Sequence, residues 1–207
     1  MFARSTSINA QPSIIDDGIA HVRDTVMPAL SHLDGYLGLS VLVDYESGRC
    51  IVTSAWRAED AMRDSADRVI AIRDAAVRAF GAARAEVDEW EVVVMHRAHH
   101  ARQGSFTRAT WLRLDKDGVA EAIETFKHGT LAKIEDLPGF CSASLFINRA
   151  DGRAVTTVGY DDRSCLEYSR EGASAVREQA AIQMEAHVSE VAEFELALAH
   201  LHVPEMV

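Results

Sequence analysis

Two hydrophobic periods alternate along this chain, and the alternation occurs twice. Residues 2 to 8 set Phe2, Arg4, Thr6 and Ile8 on one side and small residues on the other, the two-residue period of a strand. From Ile15 the period changes, with Ile15, Ile19, Val22, Val26 and Leu30 recurring at intervals of three and four as the apolar stripe of a helix. Gly35 stands where that helix must end and the chain turn, a place that suits glycine's tolerance of positive φ. Two β-rich runs, 36–44 and 49–56, are joined by Tyr45-Glu46-Ser47-Gly48 and read as a hairpin. A helical stretch over 59–80, in two pieces, carries Val69, Ile72, Ala76 and Phe80 on its inward stripe, and a last strand over 87–95 closes the unit.

The same order then recurs at a constant shift of 104 positions (106 − 2), without a gap. Phe2-Ala3-Arg4-Ser5-Thr6 meets Phe106-Thr107-Arg108-Ala109-Thr110, and Leu33-Asp34-Gly35-Tyr36 meets Leu137-Pro138-Gly139-Phe140. Gly48-Arg49 meets Gly152-Arg153, and Val87-Asp88-Glu89-Trp90-Glu91 meets Val191-Ala192-Glu193-Phe194-Glu195. The helical stripes return as Val119, Ile123, Phe126, Thr130, Ile134 and as Ala173, Val176, Ala180, Met184. The expected organisation is a first repeat over 1–96, a polar linker over 97–105 and a second repeat with a C-terminal tail over 106–207. Strand, helix, hairpin, helix, strand is the ferredoxin-like βαββαβ order, a four-stranded sheet with helices on one face. The other face needs a cover, and a fused twin supplies it. The expected class is α+β, two ferredoxin-like βαββαβ repeats forming an intramolecular dimeric α/β barrel.

Charge and motifs narrow the chemistry. A formal net charge of -11 repels phosphate backbones, so nucleic acid is not an expected partner. The first residues have no apolar signal core and no run is long enough to cross a bilayer, so a cytoplasmic protein without a membrane partner is expected. Further homo-oligomerisation is compatible with the sequence. Cys50, Cys141 and Cys165 lack CxxC spacing and read as buried free thiols. GxGxxG, P-loop, GxSxG and HExxH motifs do not occur.

Several polar positions recur between the repeats. Arg4 and Arg108 match, as do Glu89 with Glu193 and Glu91 with Glu195, and strand adjacency brings arginines near glutamates. Such a patch either orients a carboxylate or phenolate ligand or is a cross-strand salt bridge repeated by duplication, the commoner cause. Trp56 and Tyr160 end the third strands, where aromatics line a cavity or pack the core. Arg4, Trp56, Glu91, Arg108, Tyr160 and Glu195 are therefore the candidate ligand-binding residues; no catalytic residue is singled out. His96, His99, His100, His200 and His202 fall at the ends of the repeats without a fixed spacing, so no metal site is expected from them.

The element order, with Thr53-Ser54-Ala55-Trp56-Arg57-Ala58-Glu59-Asp60-Ala61-Met62 after the third strand and Glu89-Trp90-Glu91-Val92 in the last, resembles the antibiotic biosynthesis monooxygenase-like superfamily of dimeric α/β barrels. The resemblance implies a fold shared by cofactor-free oxygenases of aromatic polyketides, haem-degrading enzymes and stress-responsive proteins. At the approximate places of the haem degraders' tryptophan and axial histidine stand Ser65 and Asp74, and Ser169 and Glu178, and a carboxylate is a poor axial ligand. Haem is disfavoured and no cofactor is expected. Two readings follow. One is a non-catalytic stress-related or interaction protein with a filled barrel, favoured because no residue set demands catalysis. The other is a monooxygenase-like protein holding an apolar or aromatic small molecule between sheet and helices, which requires an apolar cavity with converging polar groups.

Overall fold

The computed structural model of the chain describes residues 1–206. The first repeat runs β1 (Phe2–Asn9), α1 (Ile15–His21), α2 (Met27–Ser31), β2 (Tyr36–Val43), β3 (Arg49–Trp56), α3 (Glu59–Asp64), α4 (Ala66–Ala79) and β4 (Ala85–Arg97). The second runs β5 (Phe106–Arg113), α5 (Val119–Thr125), α6 (Leu131–Glu135), β6 (Phe140–Asn148), β7 (Arg153–Tyr160), α7 (Arg163–Tyr168), α8 (Arg170–Gln183) and β8 (His187–Leu201). No helix among the described residues is long and apolar enough to cross a membrane.

A π turn links α1 to α2 at Val22–Val26, and another links α5 to α6 at Phe126–Thr130. The stripe spacing explains both. Ile15 to Leu30 must complete four turns, which at 3.6 residues per turn needs only about 14.4 residues, fewer than the sequence spends. One wider turn absorbs the excess, so that Ile15, Val22, Val26 and Leu30 stay buried, as do Val119, Ile123, Phe126, Thr130 and Ile134.

The hydrogen-bonded strand order is β1-β3-β2-β8-β5-β7-β6-β4, closing on itself as a barrel. Read in fours it is β4-β1-β3-β2 and β8-β5-β7-β6, the same ferredoxin-like order twice. The expected intramolecular barrel is closed by ladders that join strand edges. In β8, Glu195–Leu201 pairs with Gly38–Val43 of β2; in β4, Glu91–Arg97 pairs with Ser142–Ile147 of β6. β2 and β6 would otherwise end their sheets with unpaired backbone groups. Two compact units result, Met1–Trp90 with Glu195–Val203, and Glu91–Phe194 with the residues from Pro204.

In the first unit the helical stripes and sheet share a core built on Ile15, Val22, Ala76 and Phe80; in the second, Val119, Phe126, Ala180 and Met184 hold the matching places. Gly35 and Gly139 make the helix-to-strand turns at φ +75 and +69. Gly18 has a different reason to be glycine, because a Cβ there would lie 2.3 Å from Cδ1 of the fully buried Phe80. In the second repeat the equivalent positions hold Ala122 and Met184, both buried in one core cluster, a larger residue in place of the glycine and a slimmer one in place of the phenylalanine.

Gly18→Ala is therefore expected to lower stability by about 1–2 kcal/mol despite better helix propensity, and Phe80→Met added to it to recover most of the loss, as read from urea unfolding. The thiols give a second check. Burial pushes Cys50 up to about 12 and also raises Cys141, while Cys165 is only half-buried. A thiol reagent at pH 8 is expected to label Cys165 first, with Cys50 and Cys141 reacting only on unfolding; prompt native labelling of Cys50 contradicts this packing.

Candidate functional site

β1 and β5 each carry an arginine into the interior on the helix side of the sheet, Arg4 at 6% and Arg108 at 4% exposure. A guanidinium so deeply desolvated is tolerable only with a counter-charge and acceptors around it. β4, beside β1, supplies Glu89, whose Oε1 accepts from Arg4 Nε at 3.0 Å and Nη2 at 2.7 Å. The turn between α3 and α4 supplies the rest: Nη2 donates to the Met62 carbonyl at 2.8 Å and Nη1 to Ser65 Oγ at 3.1 Å. The second repeat copies this set, with Glu193 Oε1 at 3.1 and 2.9 Å, the Leu166 carbonyl at 2.9 Å and Ser169 Oγ at 3.3 Å from Arg108. Glu193 also accepts from the exposed Arg170 at 2.9 Å.

The copies differ at the end of the third strand. Tyr160 OH accepts from Arg108 Nη1 at 3.0 Å, and burial pushes this phenol's pKa up against the opposing pull of Ser169 and Arg108. Trp56, at the equivalent place, donates Nε1–H to Ser54 Oγ at 3.0 Å instead.

Each arginine lies on the wall of a cavity between its own unit's sheet and helices. Each cavity has a volume of about 50 Å³ and opens to solvent. Apolar side chains make most of both walls. The polar groups are Arg4, Thr6, Ser54 and Arg73 in the first, and Arg108, Thr110, Thr130, Thr156, Tyr160 and Arg177 in the second. Glu89 and Glu193 neutralise the deep arginines, but the second arginine of each wall has no acid. Arg73 makes no ion pair or hydrogen bond among the described residues, and Arg177 donates only to Ser174 Oγ at 2.7 Å. Both walls are thus apolar with a surplus positive charge, unengaged at Arg73 in the first and hydrogen-bonded to Ser174 at Arg177 in the second; an unengaged guanidinium in such a wall suits an anionic oxygen. No Asp, Glu, His or Cys is among the lining residues, so neither wall offers a carboxylate or imidazole to take a proton.

Of the six candidate residues, Arg108 and Tyr160 are in direct contact and share the second cavity, and Arg4 lines the first. Trp56 is fully buried, stacked edge-on against Tyr36 at 5.7 Å, and is not part of the wall. Glu91 and Glu195 are not brought to the arginines. Two residues along a strand is about 7 Å, which carries Glu91 past β1 to pair with Arg149 at 2.5 Å opposite β6. Glu195 sits opposite Val43 in β2. The acids that matter are Glu89 and Glu193. Ser65, Ser169, Arg73 and Arg177 were not singled out as ligand-site residues, although each pair is identical at the repeat shift, a signal that does not depend on hydrophobic pattern. Asp74 and Glu178 are exposed. The histidines disperse: His96 contacts Glu135 at 2.5 Å and Glu205 at 2.7 Å, His99 contacts Asp161, and His200 meets His202.

No protein-family model matches the chain. The Mycobacterium tuberculosis proteins Rv2557 and Rv2558, both described as uncharacterized, are 47% and 48% identical over the whole chain, which spans 92% and 88% of their lengths. Among solved structures, a candidate monooxygenase from Lactobacillus acidophilus NCFM aligns with a TM-score of 0.69 at 10% identity, covering 97% of this chain and 96% of its own. An anthrone oxidase-like protein aligns at 0.68 with 12% identity, covering 99% and 94%. A ferredoxin-fold protein from Listeria monocytogenes, related to antibiotic biosynthesis monooxygenases, aligns at 0.54 with 7% identity, covering 94% of each chain. The chain belongs to the family of Rv2557 and Rv2558, and its fold is the antibiotic biosynthesis monooxygenase-like dimeric α/β barrel, built here by tandem repeats of a single chain.

Proposed function

We propose that this protein binds an apolar or aromatic small molecule bearing a carboxylate or phenolate oxygen, in a cavity between sheet and helices. One observation carries the reading: an arginine more than nine-tenths buried stands on the wall of an otherwise apolar cavity, with a second arginine beside it that has no acid. A barrel filled by its own side chains, as an interaction protein requires, has no use for such a space. At about 50 Å³ the free space is small beside an occupied small-molecule site, so the pocket is a partly collapsed one that a ligand must widen. The narrow free space within it means that a bicyclic aromatic enters only as wall side chains of α4 or α8 yield.

Oxygenation of the bound molecule by dioxygen is a second reading, favoured by the described monooxygenase and anthrone oxidase likeness of the structural neighbours. The cavity's part in it is electrostatic: an arginine lowers the energy of negative charge that develops on a substrate oxygen. The walls hold no carboxylate or imidazole base, so the substrate must arrive ionised. The working place is the cytoplasm, in keeping with three unpaired thiols, and the net charge of -11 argues against nucleic acid as a partner.

The test is a thermal-shift series with 2-naphthoate and 2-naphthol. A ligand at about 100 times its Kd is expected to raise the unfolding midpoint by on the order of 5 °C. Ala76→Phe and Ala180→Phe together, which fill both cavities, are expected to remove the shift. A series in which no aromatic carboxylate or phenol moves the midpoint rejects the proposal, and an oxygen electrode separates oxygenation from binding.

A further inference from the structure

The two cavities share a frame but not a donor inventory. A guanidinium carries five N–H groups. All five of Arg108 are taken: Nε and one of Nη2 by Glu193, the other of Nη2 by the Leu166 carbonyl, and the two of Nη1 by Ser169 and Tyr160. Arg4 repeats four of these, with Glu89 twice, Met62 and Ser65. Its second Nη1 hydrogen has no acceptor among the described residues. The equivalent hydrogen of Arg108 goes to Tyr160, a residue of the cavity wall, so this is a direction that faces the cavity. Trp56 cannot replace Tyr160 there, because an indole N–H only donates, and it is already given to Ser54.

The first cavity therefore has a buried, charged and unmatched donor, and Arg73 lies on the same wall without a partner. The second has its arginine capped from within by the tyrosine. Building on the ligand reading above, we infer that the halves have diverged into unlike sites: the first cavity binds the anionic oxygen of an aromatic carboxylate or phenolate through Arg4 Nη1 and Arg73, and the second, whose Arg108 is capped by Tyr160 and whose Arg177 is engaged by Ser174, binds no anion. Each chain then takes one anionic ligand. The residue at the end of the third strand, tryptophan or tyrosine, decides which buried arginine keeps a donor for the ligand.

Titration calorimetry of the full chain with 2-naphthoate reads this directly. Wild type is expected to bind one equivalent. Trp56→Tyr, which copies into the first repeat the cap of the second, is expected to weaken that binding at least tenfold. Tyr160→Phe, which frees the Arg108 donor, is expected to add a second equivalent. Circular dichroism confirms that both variants, each close in shape to its parent, remain folded. Two equal sites in wild type, or binding that neither substitution changes, overturn the inference while leaving the ligand reading standing. Absence of binding to all three proteins overturns the ligand reading and this inference with it.

Discussion

The structure depends on a length mismatch between strands. β4 has 13 residues and β8 has 15, whereas the strands they meet have eight or nine. A strand that outruns its own sheet must place the surplus backbone donors and acceptors somewhere. Here the first part of β4 lies along β1 and the remainder along β6, and β8 divides in the same way between β5 and β2. Neither repeat keeps an open edge at β2 or β6. Each compact unit accordingly contains the end of the other repeat's last strand.

That division of the last strand also fixes the site. Glu89 and Glu193 sit in the portion that runs beside β1 and β5, within reach of Arg4 and Arg108, whereas Glu91 and Glu195 begin the portion that pairs elsewhere. The buried ion pair in turn ties strand to helix. Arg4 reaches Met62 and Ser65, and Arg108 reaches Leu166 and Ser169, so one side chain holds the sheet against the break between two helices. The cavity opens beside this tie, and its electrostatic character is set by the same residue that organises its wall.

Duplication supplied two copies of this frame, and later change acted on its periphery. Both arginines, both serines, both glutamates and the second pair of arginines, Arg73 and Arg177, are kept in register. What differs is what meets the fifth guanidinium hydrogen and how the walls are dressed: Val26 and Val52 face the first cavity where Thr130 and Thr156 face the second. The Mycobacterium tuberculosis relatives align along the entire chain, so the tandem arrangement is common to the family. Solved neighbours share nearly the full length at identities near one in ten, because the fold needs a pattern of apolar periods and strand lengths, not particular residues.

The sequence by itself determined the repeat, the order of elements and the buried stripes, because these follow from local periods that read the same in any register-preserving copy. It also determined that Arg4 and Arg108 would stand near acids in the last strand. Three things were decided only in three dimensions. The edge-to-edge joining depends on which backbone groups of β4 and β8 find partners far along the chain, and periodicity carries no record of that. The choice of Glu89 over Glu91 rests on about 7 Å of travel along a strand, which a two-residue period cannot register since both fall on one face. The cavity, and the difference between a capped arginine and one with a hydrogen to spare, comes from side-chain geometry at Trp56 and Tyr160, two aromatics that a hydrophobic pattern treats as the same.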